Sequence, residues 1–158
     1  MEADYIHIMA ESLEKKRDVL GRILELNRQQ DFLLQDPNLS PEEFEQNMQF
    51  KSSMVDQLNL LDNGFEELYE RVRDLLNTNR EQYAKEIVQM QELIKDITAK
   101  TTQIQAQEVR NRDKAAKKFS DVREQVRGVR NSQKVVKQYY DNMMSARNAN
   151  AQMIDNKK

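Results

Sequence analysis

Asp36-Pro37-Asn38-Leu39-Ser40-Pro41-Glu42-Glu43 holds both prolines of a 158-residue chain. Pro37 pushes Asp36 out of the helical region, and Pro41 lacks a donor N–H. Ser40-Pro41-Glu42-Glu43 then reads as a helix start. Ser40 takes the N-cap, Pro41 the first helical position, and Glu43 is placed to close a capping box. Helical spacing of apolar residues runs up to this stretch and resumes after it, so it predicts a short turn between two long helices.

Before the turn, Ile6, Met9, Leu13, Leu20, Ile23 and Leu34 keep 3–4 spacing over residues 3–35, and Val19, Leu26 and Leu33 widen the stripe. Gly21 interrupts it, which suggests a close approach by a neighbouring helix. After the turn, Phe44, Met48, Val55, Leu58, Phe65, Tyr69, Val72 and Leu76 form one seam over 41–76, flanked by Met54, Leu61, Leu68 and Leu75. Asp62-Asn63-Gly64 looks like a turn. The seam stays in register across it, however, which predicts a kink within one helix and no chain reversal. Thr78 and Glu81 have capping-box spacing. Tyr83, Ile87, Met90, Ile94, Ile97 and Ile104 then mark a third helix, free to run to Arg127 or, past Gly128, to about Met144.

Helices of this length span about 50 Å each at 1.5 Å per residue. Joined by short turns they must run antiparallel. The expected fold is all-α: an elongated antiparallel bundle of three long helices with a basic C-terminal helical extension projecting beyond it. Three units are expected: an acidic bundle over 1–109, a basic amphipathic helical extension over 110–144, and a disordered polar tail over 145–158. No internal repeat of solenoid length is present.

Composition agrees. Charged residues make up 33% and mean hydropathy is −0.92, too polar for a broad core but sufficient for the seam between long helices. Three glycines and two prolines leave the helices few interruptions. The absence of cysteine excludes disulfides and thiolate chemistry. Nothing resembles a signal peptide or a membrane span. The expected location is cytoplasmic, with secretion without a cleaved signal left open.

Chemistry-bearing patterns are missing. His7 is the one histidine and has no Cys or second His to complete a metal site. The carboxylates at Glu42, Glu43 and Glu45, and at Glu66, Glu67 and Glu70, read as solvated helix faces and not as an acid/base pair in a cleft. Lys51-Ser52-Ser53 lacks the glycines of a phosphate loop. The chain is expected to be no enzyme and to need no metal, nucleotide or other cofactor.

Charge is distributed unevenly. Residues 1–109 carry 12 Lys/Arg and 22 Asp/Glu, whereas 110–137 carry 10 and 3. Within and beyond that basic stretch, Phe119, Val122, Val126, Val129, Val136, Tyr140 and Met143 form a narrow heptad-like seam. Three readings compete. The seam packs on helices 1 and 2 or self-associates, it captures an apolar partner helix, or the cations bind nucleic acid or a membrane surface.

A second helix carrying Gln49-Phe-Lys-Ser-Ser-Met-Val-Asp-Gln-Leu-Asn-Leu-Leu-Asp62, with a mid-helix Lys before a leucine seam at Leu58 and Leu61, resembles FlgN-type flagellar export chaperones. So do the amide-rich third helix, Ile94-Lys-Asp-Ile-Thr-Ala-Lys-Thr-Thr-Gln-Ile-Gln-Ala-Gln-Glu-Val-Arg-Asn111, and the ending Met153-Ile-Asp-Asn-Lys-Lys158. FliT-type chaperones of the filament cap share the plan. The resemblance implies a cytosolic protein that binds the amphipathic terminal helix of hook–filament junction proteins. It would prevent early assembly and bring these clients to the export apparatus. The family's binding surface corresponds here to the seam from Phe119 to Met143. Eight methionines would make such a surface adaptable. A structural coiled-coil protein that only self-associates, and a nucleic-acid-binding adaptor, are the alternatives from other classes.

Overall fold

The structure, a computed structural model, describes residues 2–119 and 134–141. It consists of α1 (Glu2–Gln35), α2 (Pro41–Thr78) and α3 (Ala84–Lys118), with a further helical stretch, α4, over 134–141. No strand occurs among the described residues. The expected all-α bundle of long helices is therefore the fold. Helix α1 is central and packs on both α2 and α3. Its neighbours give the directions. Ser12 and Lys16 meet Leu61 and Asp62 while Asn47 reaches Leu26, so α2 runs antiparallel to α1. Gln107 meets Leu24 and Asn111 meets Asn27, so α3 runs parallel to α1.

The first turn forms at the expected place, with Ser40 as the cap but without the bond from Glu43 back to the Ser40 N–H that would close a capping box. Asp36 Oδ1 accepts from the Asn38 N–H at 2.9 Å, closing a local turn. Ser40 sits in extended backbone, its Oγ accepting from the Glu43 N–H at 3.4 Å, with Pro41 next and Glu42 and Glu43 in the first turn. Those carboxylates suit the positive end of the helix dipole. The far end of α1 has no basic residue in its last turn. Lys118 of α3 supplies the missing cation and donates to the carbonyls of Leu34, at 3.2 Å, and Asp36.

The second turn departs from expectation. Thr78 is not an N-cap, because α2 runs through it and Asn79 closes that helix with its N–H on Leu75 O at 2.9 Å. Helix α3 starts only at Ala84, with no side-chain cap. Tyr83 and Ala84 donate to the carbonyls of Asn79 and Glu81 instead, so backbone bonds replace the capping box.

Helix α2 passes through Asp62-Asn63-Gly64 without reversal. Neither Gly21 nor Gly64 has positive φ, and a Cβ on either would meet nothing within 4 Å. The close helix approach expected at Gly21 is thus absent. Both glycines only cost helix propensity, so Gly21→Ala and Gly64→Ala should each stabilise the bundle by about 0.5–1 kcal/mol. Urea unfolding of each variant checks this, and an unchanged or lower midpoint would contradict it.

The core follows the apolar stripes. Ile6, Met9, Leu13, Leu20 and Ile23 of α1, Val55, Leu58, Phe65, Tyr69 and Val72 of α2, and Ile87, Met90, Ile97 and Ile104 of α3 are buried in one long cluster. The flanking Met54, Leu61, Leu68 and Leu75 are partly buried against it. A second, smaller cluster joins Leu34, Phe44, Ala115 and Phe119 at the end of the 36–40 turn. Helix α3 crosses residue 109 without a break. Asn111 and Ala115 are buried, so the start of the basic stretch lies on the bundle and does not project from it. The helix ends at Lys118, short of the Arg127 or Met144 that its composition would allow.

Candidate partner-binding segment and the buried polar layer

Three of the seven seam residues lie among the described residues, and all three face inward. Phe119 is packed edge-to-face on Phe44, with ring centroids 5.3 Å apart, beside Leu34 and Ala115. Val136 and Tyr140 are 3% and 1% exposed and belong to the long core cluster. The expectation of an unpartnered seam fails at these positions. The same 3–4 spacing that would fit a partner helix fits the bundle's own surface, and covering it there removes apolar area from water within one chain. Val122, Val126, Val129 and Met143 lie outside the described residues. So do the end of the 110–144 unit and the 145–158 tail.

Tyr139, which has no place in the seam, anchors α4 most specifically. Its hydroxyl donates to Asp62 Oδ2 at 2.8 Å, while Lys16 Nζ lies 2.5 Å from Asp62 Oδ1 and 5.9 Å from the Tyr139 ring centre. One carboxylate thus ties α1, α2 and α4 together. Burial lowers the Lys16 pKa, against the pull of Asp62 and, more weakly, Glu66. Burial likewise pushes the Tyr139 phenol far above its usual value, and Asp62 adds to the shift. Tyr140 moves up for the same first reason, helped by Glu108. Asp62 in the turn-like triplet is therefore a structural acceptor.

A second polar group lies deeper. Lys51 Nζ is 2.7 Å from Glu108 Oε1, and Lys51 is 1% exposed. Around the pair, Asn111 Nδ2 donates to Gln30 Oε1 at 3.1 Å and to Asn27 O at 2.9 Å. Gln30 Nε2 donates to Asn47 Oδ1 at 3.2 Å, and Asn47 Nδ2 to Leu26 O at 2.9 Å. Asn27 Nδ2 reaches Gln107 Oε1 at 3.0 Å. These amides take carbonyls of α1 as acceptors from both sides and so fix its register against α2 and α3. Apolar periodicity alone passed over every one of these residues. The signal was the gap in each stripe, where the buried register continues through polar residues.

On the outer side of this layer, a cleft of ≈370 Å³ between α1 and α3 is lined by Asn27, Arg28, Asp31, Gln107 and Arg110 among others. Lys114 holds the Asp31 carboxyl below the usual carboxylate range. Lys114 and Lys118 are thus engaged with α1 and are not part of a free cationic stripe. His7 is exposed and pairs with Glu11 at 3.2 Å. Among the described residues no cluster of His, Cys, Asp or Glu could hold a metal ion, and no helix is long and apolar enough to cross a membrane. Compared with models of protein families, with curated proteins and with solved structures, the chain gives no match.

Proposed function

We propose that this chain is a non-catalytic flagellar export chaperone of FlgN type. In this reading it holds the amphipathic terminal helix of a hook–filament junction protein in the cytosol, keeps it from assembling early and assists its delivery to the export apparatus. The observation that carries the reading is the seat of α4. The surface built by α1–α3 accepts an amphipathic stretch that inserts Val136, Tyr139 and Tyr140. A surface that takes one such helix can take another of similar pattern, and mass action then keeps the client monomeric. The stretches 49–62 and 94–111 support the same reading through their resemblance to these chaperones. A client entering at Val136 and Tyr140 must exchange with α4, which subtracts from its net affinity.

Titration calorimetry with the C-terminal helical peptide of a hook–filament junction protein tests this, with a filament-cap peptide as the comparison for a FliT-type client. Saturable binding of the junction peptide is expected, and Tyr139→Phe, which removes the bond holding α4 on Asp62, should strengthen it by easing the exchange. Tighter binding of the cap peptide would move the client assignment to the filament cap. No binding of either peptide would remove the chaperone reading. A lower melting temperature with unchanged client affinity would place the site on another face. The engagement of Lys114 and Lys118 with α1 disfavours the nucleic-acid adaptor.

A further inference from the structure

The buried positions of α1 between Leu24 and Leu34 are Asn27 and Gln30. Those of α2 between Phe44 and Val55 are Asn47 and Lys51, and those of α3 between Ile104 and Ala115 are Glu108 and Asn111. No buried apolar side chain of these three helices bridges the interval, which is about 15 Å long at 1.5 Å per residue. The core is accordingly two clusters, a long one and the four-residue group of Leu34, Phe44, Ala115 and Phe119, padded by Leu39 and Met48.

We propose that this polar layer divides the bundle into two opening units, so that the end closed by the 36–40 turn opens while the long core stays shut. Cooperativity along a bundle is carried by continuous apolar packing, because separating packed apolar surfaces exposes both to water. Hydrogen-bonded amides behave differently. Opened to water they exchange one set of partners for another at small net cost. The layer therefore transmits little of the cost of opening the small cluster to the long one. What else holds that end lies largely at the surface: the Lys114–Asp31 pair is well exposed, screening reduces such pairs, and the Lys118 bonds to the carbonyls of Leu34 and Asp36 are part-buried and exposed. Sealed below by a layer that tolerates water, the end is a local gate for its own four apolar side chains.

Native-state amide exchange on the full chain tests this. Amides at 31–34, 45–50 and 112–118 should show one shared protection, roughly 100-fold or more below that at Leu20, Leu58 and Met90, with a smaller denaturant dependence. Amides at 70–76, before the opposite turn, control for ordinary fraying. If they exchange as fast as the 36–40 end, the division does not exist. Replacing the layer's charges together, as Lys51→Met with Glu108→Leu, should raise protection at the 36–40 end by about tenfold relative to that at Leu20 and Met90. Unchanged protection there, or equal protection along the wild-type bundle, overturns the proposal. Should the double variant fail to fold, the wild-type profile alone decides.

Discussion

Lys51→Met should cost about 3–5 kcal/mol, because it leaves Glu108 buried without its cation. Lys51 is nearly inaccessible and Glu108 is buried with it. Methionine fills the volume of the lysine stem but offers no donor, and no other lysine or arginine forms an ion pair with Glu108 among the described residues. For a chain of this size the loss should lower the melting temperature by roughly 10 °C. The double variant Lys51→Met, Glu108→Leu should behave in the opposite way and be near neutral, or more stable by about 1–4 kcal/mol, since both desolvated charges then go. Gln30 Oε1 is not stranded by either change, because Asn111 still donates to it. Thermal and urea unfolding of the two singles and the double measure the coupling. A double no better than Lys51→Met alone would show that the loss comes from packing and not from the unpaired carboxylate.

This pair also marks where sequence reading stops. The helices, the 36–43 turn and the passage of α2 through Asp62-Asn63-Gly64 were legible, because periodicity and proline chemistry act locally. Most buried Leu, Ile and Met of α1–α3 followed from the same stripes, with Leu24 and Leu93 added by the packing. Lys51 was not legible as a core residue. It stands seven residues after Phe44 and seven before Leu58, in perfect register with both, but its side chain invites a solvent assignment. Only the position of Glu108, on a helix 57 residues further on, makes its burial tolerable. The second turn failed for a related reason. Thr78 and Glu81 have the spacing of a cap, but the packing of Leu75 and Leu76 carries α2 past them. At Phe119, Val136 and Tyr140 the pattern correctly gave an amphipathic face. It could not say what covers that face, since an intramolecular groove and a partner helix select the same residues.

Asp62→Asn should cost about 2–4 kcal/mol near pH 6, with a penalty that shrinks as pH rises toward 9. Asp62 is the counter-charge of Lys16, the acceptor for the Tyr139 hydroxyl, and the one contact through which α4 is hydrogen-bonded to α2 among the described residues. Asparagine keeps an acceptor for Tyr139 but not the charge. Lys16 is then left 8% exposed with desolvation no longer opposed by Asp62. A lysine whose folded pKa lies below its unfolded one gives up its proton more readily when folded. Over the window between the two values the unfolded chain binds more protons, so stability rises with pH. In the wild type Asp62 holds that depression in check, and without it the window extends toward neutrality. The tyrosines work in the reverse sense only above about pH 10, where the unfolded phenols ionise and the buried ones do not. Urea midpoints of wild type and Asp62→Asn between pH 6 and 9 should therefore converge as pH rises. Parallel profiles would mean that Lys16 finds water when Asp62 goes and keeps its charge in the folded variant.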